Sequence, residues 1–414
     1  MVNCRRPESD SKQLINTFQS GVIKLANIMK IAFIHSEKKL GTGAHYINDL
    51  MSEKLKQYGI QVKNFYPKAV LLESDIHLKG INNILFFYSL IEYKKEILKF
   101  SLIQGTTYTP LPFIATSIPT VSHFGSTTHG FLKSVPKANK IRKTTRNIWY
   151  ALRDANIIPE LNIKTRHPMM DIAEIELHVA KNATAVIATS DKVKQNLIDL
   201  GVPKRKITVI YNAIEDYWFD KALPPIIDKP KLVFLGRLGD DAFTLKLKGA
   251  DRLIHLFKKF PKMKKKSICM TSNKNLKEWL KKEIPNHYMF VNLKKDLIPN
   301  VLRPLRGSIL FIPSRYEGFS LSLIEGMSCG LIPITYSVGV APEIIRNGRN
   351  GFIVRSQTEA VRCVKKLVAN NKLREMMSQR ARETSLMFQS NLLAVKLSDF
   401  YRKVIREHRK SRNK

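Results

Sequence analysis

Between Ile309 and Val354 a strand-like apolar run, ILFIP, meets a polar loop, Ser314–Arg315–Tyr316–Glu317–Gly318, and then the helical run FSLSLIEGMSCG. A helix start presents unpaired N–H groups at the positive end of the helix dipole. Gly318, Phe319 and Ser320 therefore offer a phosphate a place with little side-chain obstruction. Glu317 stands at the turn and Glu325 follows eight residues later. At about 100° per residue this spacing closes to within about a quarter-turn of one helix face, so both carboxylates are expected to look into one cleft. Two such acceptors suit a polyhydroxylated ligand, one holding a ribose diol and the other a sugar. In isolation, a Glu pair of this kind is more often a helix-terminal charge and a solvated helix residue.

These residues need elements to position them. From Lys30 onward, short β-rich runs alternate with amphipathic helical stretches, the pattern of βαβ units and parallel sheets. The runs in the first half are Ile31–His35, Gln61–Tyr66, Ile84–Tyr88, Ser101–Gln104, Pro119–His123, Ala185–Thr189 and Ile207–Tyr211. Those in the second half are Lys231–Gly236, Ser267–Met270, Tyr288–Val291, Ser308–Ile312, Ile332–Thr335 and Phe352–Val354. Between the two sets, Pro224–Pro225 and Pro230 interrupt regular structure. The expected architecture is α/β: two Rossmann-like, doubly wound parallel-sheet domains facing across a cleft. The expected divisions are an extension over 1–28, an acceptor-binding domain over 29–215, a linker over 216–230, a nucleotide-binding domain over 231–400 and a basic tail over 401–414. Met29 is the favoured translation start, because it runs straight into the first buried strand.

Composition narrows the function classes. The chain has 414 residues, 44% hydrophobic and 25% charged, which excludes a wholly disordered chain and gives enough apolar side chains for more than one core. Its formal charge of +36 attracts polyanions or anionic surfaces without saying which. The four cysteines, Cys4, Cys269, Cys329 and Cys363, form no CxxC pair, so neither a zinc site nor a disulfide framework is expected, and a reducing cytoplasm fits. No secretory signal or membrane span is expected.

The run PSRYEGFSLSLIEGMSCGLIPITYSVGVAPEIIRNGRNGFIV resembles the carboxy-terminal domain of the family 4 glycosyltransferases, enzymes of the GT-B fold. It carries their Glu-x7-Glu pattern, the following Gly-x-x-Pro, Glu343 and the Asn350–Gly351 turn. AVIATSDKVKQNLIDLGVPKRKITVIYNAI is similar to the family's last amino-terminal strand, helix and strand, ending at Asn212. LVFLGRLGDDAFTLKLKGADRL resembles the family's GR…KG segment, which implies that Arg237 and Lys248 grip the donor diphosphate. The interval between them is longer than the family's usual one and holds Lys246 as a rival cation. Thr271–Ser272–Asn273 stands where the family commonly has a glycine-rich turn. Gly41–Thr42–Gly43 resembles the glycine loop beside the donor phosphates, and His123 resembles the family's active-site His.

Membership implies transfer of a sugar from a UDP- or GDP-linked donor, with retention of configuration, no metal and no cofactor. The acceptor would be a glycan or lipid-linked molecule of the cell envelope. Glu317 and His123 would be the catalytic residues, with Arg237, Lys248, Glu325, Gly318, Phe319, Ser320, Gly41 and Gly43 holding the donor. The rival readings are a polyanion-binding protein and a same-fold epimerase or phosphorylase. Nucleic acid is a disfavoured partner, because the basic residues are scattered and no compact recognition motif is present. Cations from Lys137 to Arg146 precede Trp149–Tyr150, which makes residues 137–158 a candidate for peripheral association with an anionic membrane at its inner face, against an ordinary helix packed on a sheet.

Overall fold

The alternating runs fold, in this computed structural model, into two parallel six-stranded sheets with helices around them. The structure describes residues 29–36, 43–68, 81–137, 140–141, 143–161, 166–239 and 241–412. The extension 1–28, Gly41 and Asp240 lie outside the described residues.

The first sheet holds β1 (Lys30–Ile34), β2 (Gln61–Phe65), β3 (Leu102–Thr106), β4 (Thr120–Phe124), β5 (Ala185–Ala188) and β6 (Ile207–Val209), in the order β2-β1-β3-β4-β5-β6. The second holds β7 (Leu232–Arg237), β8 (Lys265–Met270), β9 (His287–Val291), β10 (Ile309–Ile312), β11 (Ile332–Thr335) and β12 (Phe352–Ile353), in the order β12-β11-β10-β7-β8-β9. Central strands such as β1, β5 and β10 read as unbroken apolar runs because helices cover both faces of the sheet. The expected strand Ile84–Tyr88 is instead part of the Ile81–Ile91 helix. Its apolar run is uninterrupted, so period alone could not separate strand from helix; Phe86 and Leu90, one turn apart, face the core.

Strand order fixes where a ligand fits. In the second sheet the order reverses between β7 and β10, so the loops leaving their carboxyl ends diverge and open a crevice. Arg237 ends β7, and Pro313–Gly318 follows β10. The first sheet reverses between β1 and β3, ahead of the helix that Gly43 opens.

Each half also sends a strap across to the other. The Lys143–Asp154 helix packs against the Ala250–Lys259 helix, and Ile141, Trp149 and Leu152 join the second domain's core. The apolar stripe expected to meet a membrane is therefore buried, with Trp149 fully enclosed. Conversely, the expected boundary at residue 400 and the tail beyond it fall inside one helix, Ser390–Arg412. Leu393, Leu397, Phe400, Tyr401 and Val404 of that helix pack on the first domain beside Ile31, Met51 and Leu55. A basic sequence at a terminus gave no sign that its other helical face is apolar enough to return to the first sheet.

Candidate functional site

The carboxyl end of β10 carries the densest chemistry. Lys248 Nζ lies 2.7 Å from Glu317 Oε1, and the Ser314 hydroxyl donates to the same oxygen at 2.7 Å. Lys248 reaches that place because Gly249 turns with φ +67° directly against β10's exit; a Cβ on Gly249 would sit 2.1 Å from the Pro313 carbonyl oxygen. Only glycine meets both demands. Three residues that the sequence did not single out hold this junction. Arg315 makes a two-pronged pair with Asp251, at 2.8 and 2.7 Å, and Arg252 donates to the carbonyls of Pro313 and Ser314, each at 3.1 Å. Asp251 is almost wholly buried, and Arg315 holds its carboxyl below the usual range despite that burial. The signal was present as Asp251–Arg252, one residue beyond Lys248–Gly249.

Arg237 is exposed at the end of β7, with no hydrogen-bond or ion-pair partner among the described residues. β7 pairs with β10 at Leu232–Ile309 and Val233–Leu310, so Arg237 leaves the sheet at the same carboxyl end as the loop that follows β10. Lys246 is elsewhere. It is buried, donates to the carbonyls of Pro136 (3.3 Å) and Leu161, and lies over the Trp149 ring. Desolvation, with Arg315 nearby, lowers its pKa to about 8. It ties the first domain's strap to the second domain and does not point a charge at the crevice.

Glu317 and Glu325 do not share a helix face. The helix runs Leu321–Ser328, and Ser320 before it adopts the left-handed conformation at φ +82°, so helical geometry does not extend back to Glu317. A non-glycine residue held so costs about 1–3 kcal/mol and is characteristic of functional turns. The Ser320 hydroxyl is also buried without a partner among the described residues. The Phe319 side chain turns inward against Phe388 and Tyr211, leaving only its backbone for a ligand.

Glu325 is buried, and desolvation raises its pKa to about 7, opposed by Lys295 at 3.5 Å. Lys295 also binds Glu215 at 2.6 Å and lies 4.5 Å from the centre of the Tyr46 ring, on the helix that Gly43 opens. The Gly43 helix thereby meets Glu325 through Lys295. No sequence motif announced Lys295 or Tyr46, because their meeting depends on how the two domains sit.

The first domain closes over the Glu317 loop. Gly318 packs so tightly on Gly125 that a Cβ would lie 1.7 Å from the Gly125 carbonyl oxygen, and the Ser190 hydroxyl donates to the Gly318 carbonyl at 2.6 Å. Gly125 stands two residues beyond His123, so the seam brings His123's strand to the Glu317 loop. His123 is buried, and desolvation lowers its pKa to about 4, with the Asn212 side chain partly opposing the shift. It is a neutral imidazole at pH 7, suited to hydrogen bonding rather than to carrying charge. Beside the seam, Tyr316 Oη binds Thr127 N, Thr127 Oγ1 and Asn196 Nδ2 at 3.2, 3.1 and 3.1 Å. Glu343 Oε1 accepts from Asp191 N at 3.0 Å.

This arrangement agrees with two family models. Residues 75–216 match Glycosyltransferase Family 4, and residues 219–384 match Glycosyl transferases group 1. The chain has the two-domain GT-B architecture, and each half matches a glycosyltransferase family over part of its length. Sucrose-phosphate synthase from Thermosynechococcus elongatus shares this GT-B architecture at a TM-score of 0.68 and 14% identity, covering 92% of this chain and 100% of that one. The Anabaena protein HepE, solved in complex with UDP-glucose, shares it at 0.62 and 16%, covering 91% and 100%. In sequence, an uncharacterised glycosyltransferase of Methanocaldococcus jannaschii is 29% identical over 220 residues, 49% of this chain and 54% of that protein. This GT-B chain thus spans about half the length of the curated relatives it matches.

Proposed function

We propose that the protein transfers a sugar from a UDP- or GDP-linked donor to a hydroxyl of a glycan or lipid-linked acceptor of the cell envelope, retaining the anomeric configuration. The observation that carries this reading is the Lys248–Glu317 pair, held at the β7–β10 crevice, with Arg237 exposed at the end of β7 and its side chain without a partner among the described residues. A donor diphosphate takes the place between the two cations and draws Lys248 from Glu317, freeing that carboxylate to accept from a sugar hydroxyl. The Gly318–Ser320 turn supplies backbone N–H groups to the phosphates. Glu325 accepts from the ribose diol. UDP-glucose in the HepE structure is consistent with a donor of this class.

In the reaction the bond from the anomeric carbon to the diphosphate oxygen breaks, and a bond to the acceptor oxygen forms on the same face. The departing diphosphate oxygen takes the acceptor's proton. Negative charge grows on the diphosphate as the bond breaks, so Arg237 and Lys248, once bound to it, stabilise the transition state more than the ground state. Neutral His123 hydrogen-bonds the sugar from the first domain without competing for the proton. These two cations are proposed to fill the role that a metal plays in other transferases, so chelator should leave turnover unchanged.

The test is a screen of nucleotide sugars for acceptor-dependent release of nucleoside diphosphate, alongside calorimetry on Glu325→Ala. Removing hydrogen bonds to a charged group costs about 1.5–3 kcal/mol, so donor affinity should fall about 10- to 150-fold. Unchanged affinity would remove Glu325 from the donor site. Donor conversion with no acceptor present would point to an epimerase of the same fold.

A further inference from the structure

The outward face of the Ile81–Ile91 helix is unexpectedly apolar. Ile84, Tyr88 and Ile91 are 66%, 56% and 45% exposed, and their i, i+4, i+7 spacing sets them in one stripe. Leu98 is exposed just beyond, after the short Lys94–Ile97 helix. The opposite side already packs Phe86, Leu90 and Ile97 into the domain core, so the outer stripe is not needed for folding.

A basic cleft of about 910 Å³ opens beside the end of this stripe. Its walls include Lys30, Lys56, Lys63, Lys95 and Lys99, with Glu96 as the acidic member. Glu96 is ion-paired to Lys63, and Glu92 to Lys68. Lys94, Lys95 and Lys99 have no acidic partner among the described residues. Lys95 and Lys99 thus belong both to the cleft and to the margin of the apolar stripe. Lys30 and Gln61 begin their strands, which puts the cleft at the opposite end of the sheet from the donor crevice.

We infer that the first domain docks on an anionic phospholipid bilayer through this face: Ile84, Tyr88, Ile91 and Leu98 enter the interface while the lysine cleft receives phosphate headgroups. Charge complementarity chooses this occupant. An apolar protein partner would leave the lysines unmatched, and a soluble polyanion would leave the apolar stripe in water, whereas an anionic bilayer satisfies both. The buried Trp149 helix takes no part. The inference does not depend on the sugar-transfer reading, because the face is separate from the donor crevice.

The experiment is co-sedimentation of the full chain with phosphatidylcholine vesicles, with and without phosphatidylglycerol, at low and high salt. Binding is expected only with the anionic lipid and should weaken at high salt. A variant combining Lys94→Ser, Lys95→Ser and Lys99→Ser should lose on the order of 100-fold in partitioning, and the corresponding Lys→Arg variant should retain it. Combined Ile84→Ser, Tyr88→Ser and Ile91→Ser should abolish binding at high salt, while Lys143→Ser with Arg146→Ser changes nothing. The Lys94, Lys95, Lys99, Ile84, Tyr88 and Ile91 side chains are on the surface, and Arg146 is half-buried with a bond to the Ile141 carbonyl, so circular dichroism and melting temperature are used to confirm that every variant is folded. Equal binding to neutral vesicles, an unaffected triple-lysine variant, or binding to single-stranded RNA without binding to anionic vesicles overturns the inference.

Discussion

Two lysines two residues apart, Lys246 and Lys248, have opposite duties, and burial separates them. Lys248 is partly exposed and paired with Glu317, so Lys248→Met should lower turnover at least 100-fold, by the measure of removing one fixed transition-state donor, with little change in melting temperature. Lys246 is wholly buried on backbone carbonyls that cross between domains, so Lys246→Met should show its main effect in the melting temperature. Steady-state kinetics with thermal melts of both variants separates the roles, and the reverse pattern would reassign the diphosphate cation. Glu176 raises a pH question. It is buried beneath the seam, accepts from Thr128 N and Oγ1 at 2.8 and 2.9 Å, and has its pKa raised by desolvation to about 7. The folded chain keeps this proton up to about pH 7, whereas the unfolded chain releases it near the ordinary value of 4.5. Stability is therefore lost as pH rises through that window, by up to about 3 kcal/mol from this group. Glu176→Gln mimics the protonated acid, and denaturant titrations from pH 5 to 8 should show a flatter decline than in the parent chain.

Among the elements, the crevice turns depend on backbone approach as much as on side chains. Gly249→Ala would force a Cβ into the Pro313 carbonyl at a positive φ, which requires the Lys248 turn to move away from Glu317. It should cost more than about 1 kcal/mol in stability and lower turnover together, read by melting and initial rates. The Lys-Gly sequence made this turn legible, as hydrophobic runs made most of the strands legible. Legibility failed where a sequence signal is two-valued or nonlocal. The run ILFFYSLI has the composition of either a buried strand or a helix, and nothing local told that its core contacts recur every four residues. The left-handed Ser320 could not be read from a serine, so helical spacing was carried back to Glu317 across a turn that breaks it. Lys295 between Glu215 and Glu325 was invisible for another reason: the three come from distant segments, and only the sheet order brings them together.

At the scale of the whole molecule, two apolar straps join the domains, and polar contacts line the seam between them. The straps tether the domains, and the polar seam is the part of the interface whose opening costs least, so its latches set how far the seam stays shut. Tyr316 concentrates the effect. Its hydroxyl reaches across from the second domain to Thr127 N, Thr127 Oγ1 and Asn196 Nδ2, and its ring lies so close over Gly130 that a Cβ there would be 2.4 Å away. Tyr316→Phe keeps the ring and removes the hydroxyl, leaving Thr127 N and Asn196 Nδ2 to regain partners in water when the seam opens. At about 0.5–1.5 kcal/mol for each net hydrogen bond, losing two to three of them shifts the open-to-closed ratio roughly 5-fold or more. Small-angle scattering should then report a larger radius of gyration for the variant than for the parent. Donor affinity should fall less than turnover, because the second domain's donor contacts survive opening while His123 withdraws with the first domain. Unchanged scattering and unchanged turnover in Tyr316→Phe would show that the straps around Trp149 and Tyr401 hold the molecule closed without this latch.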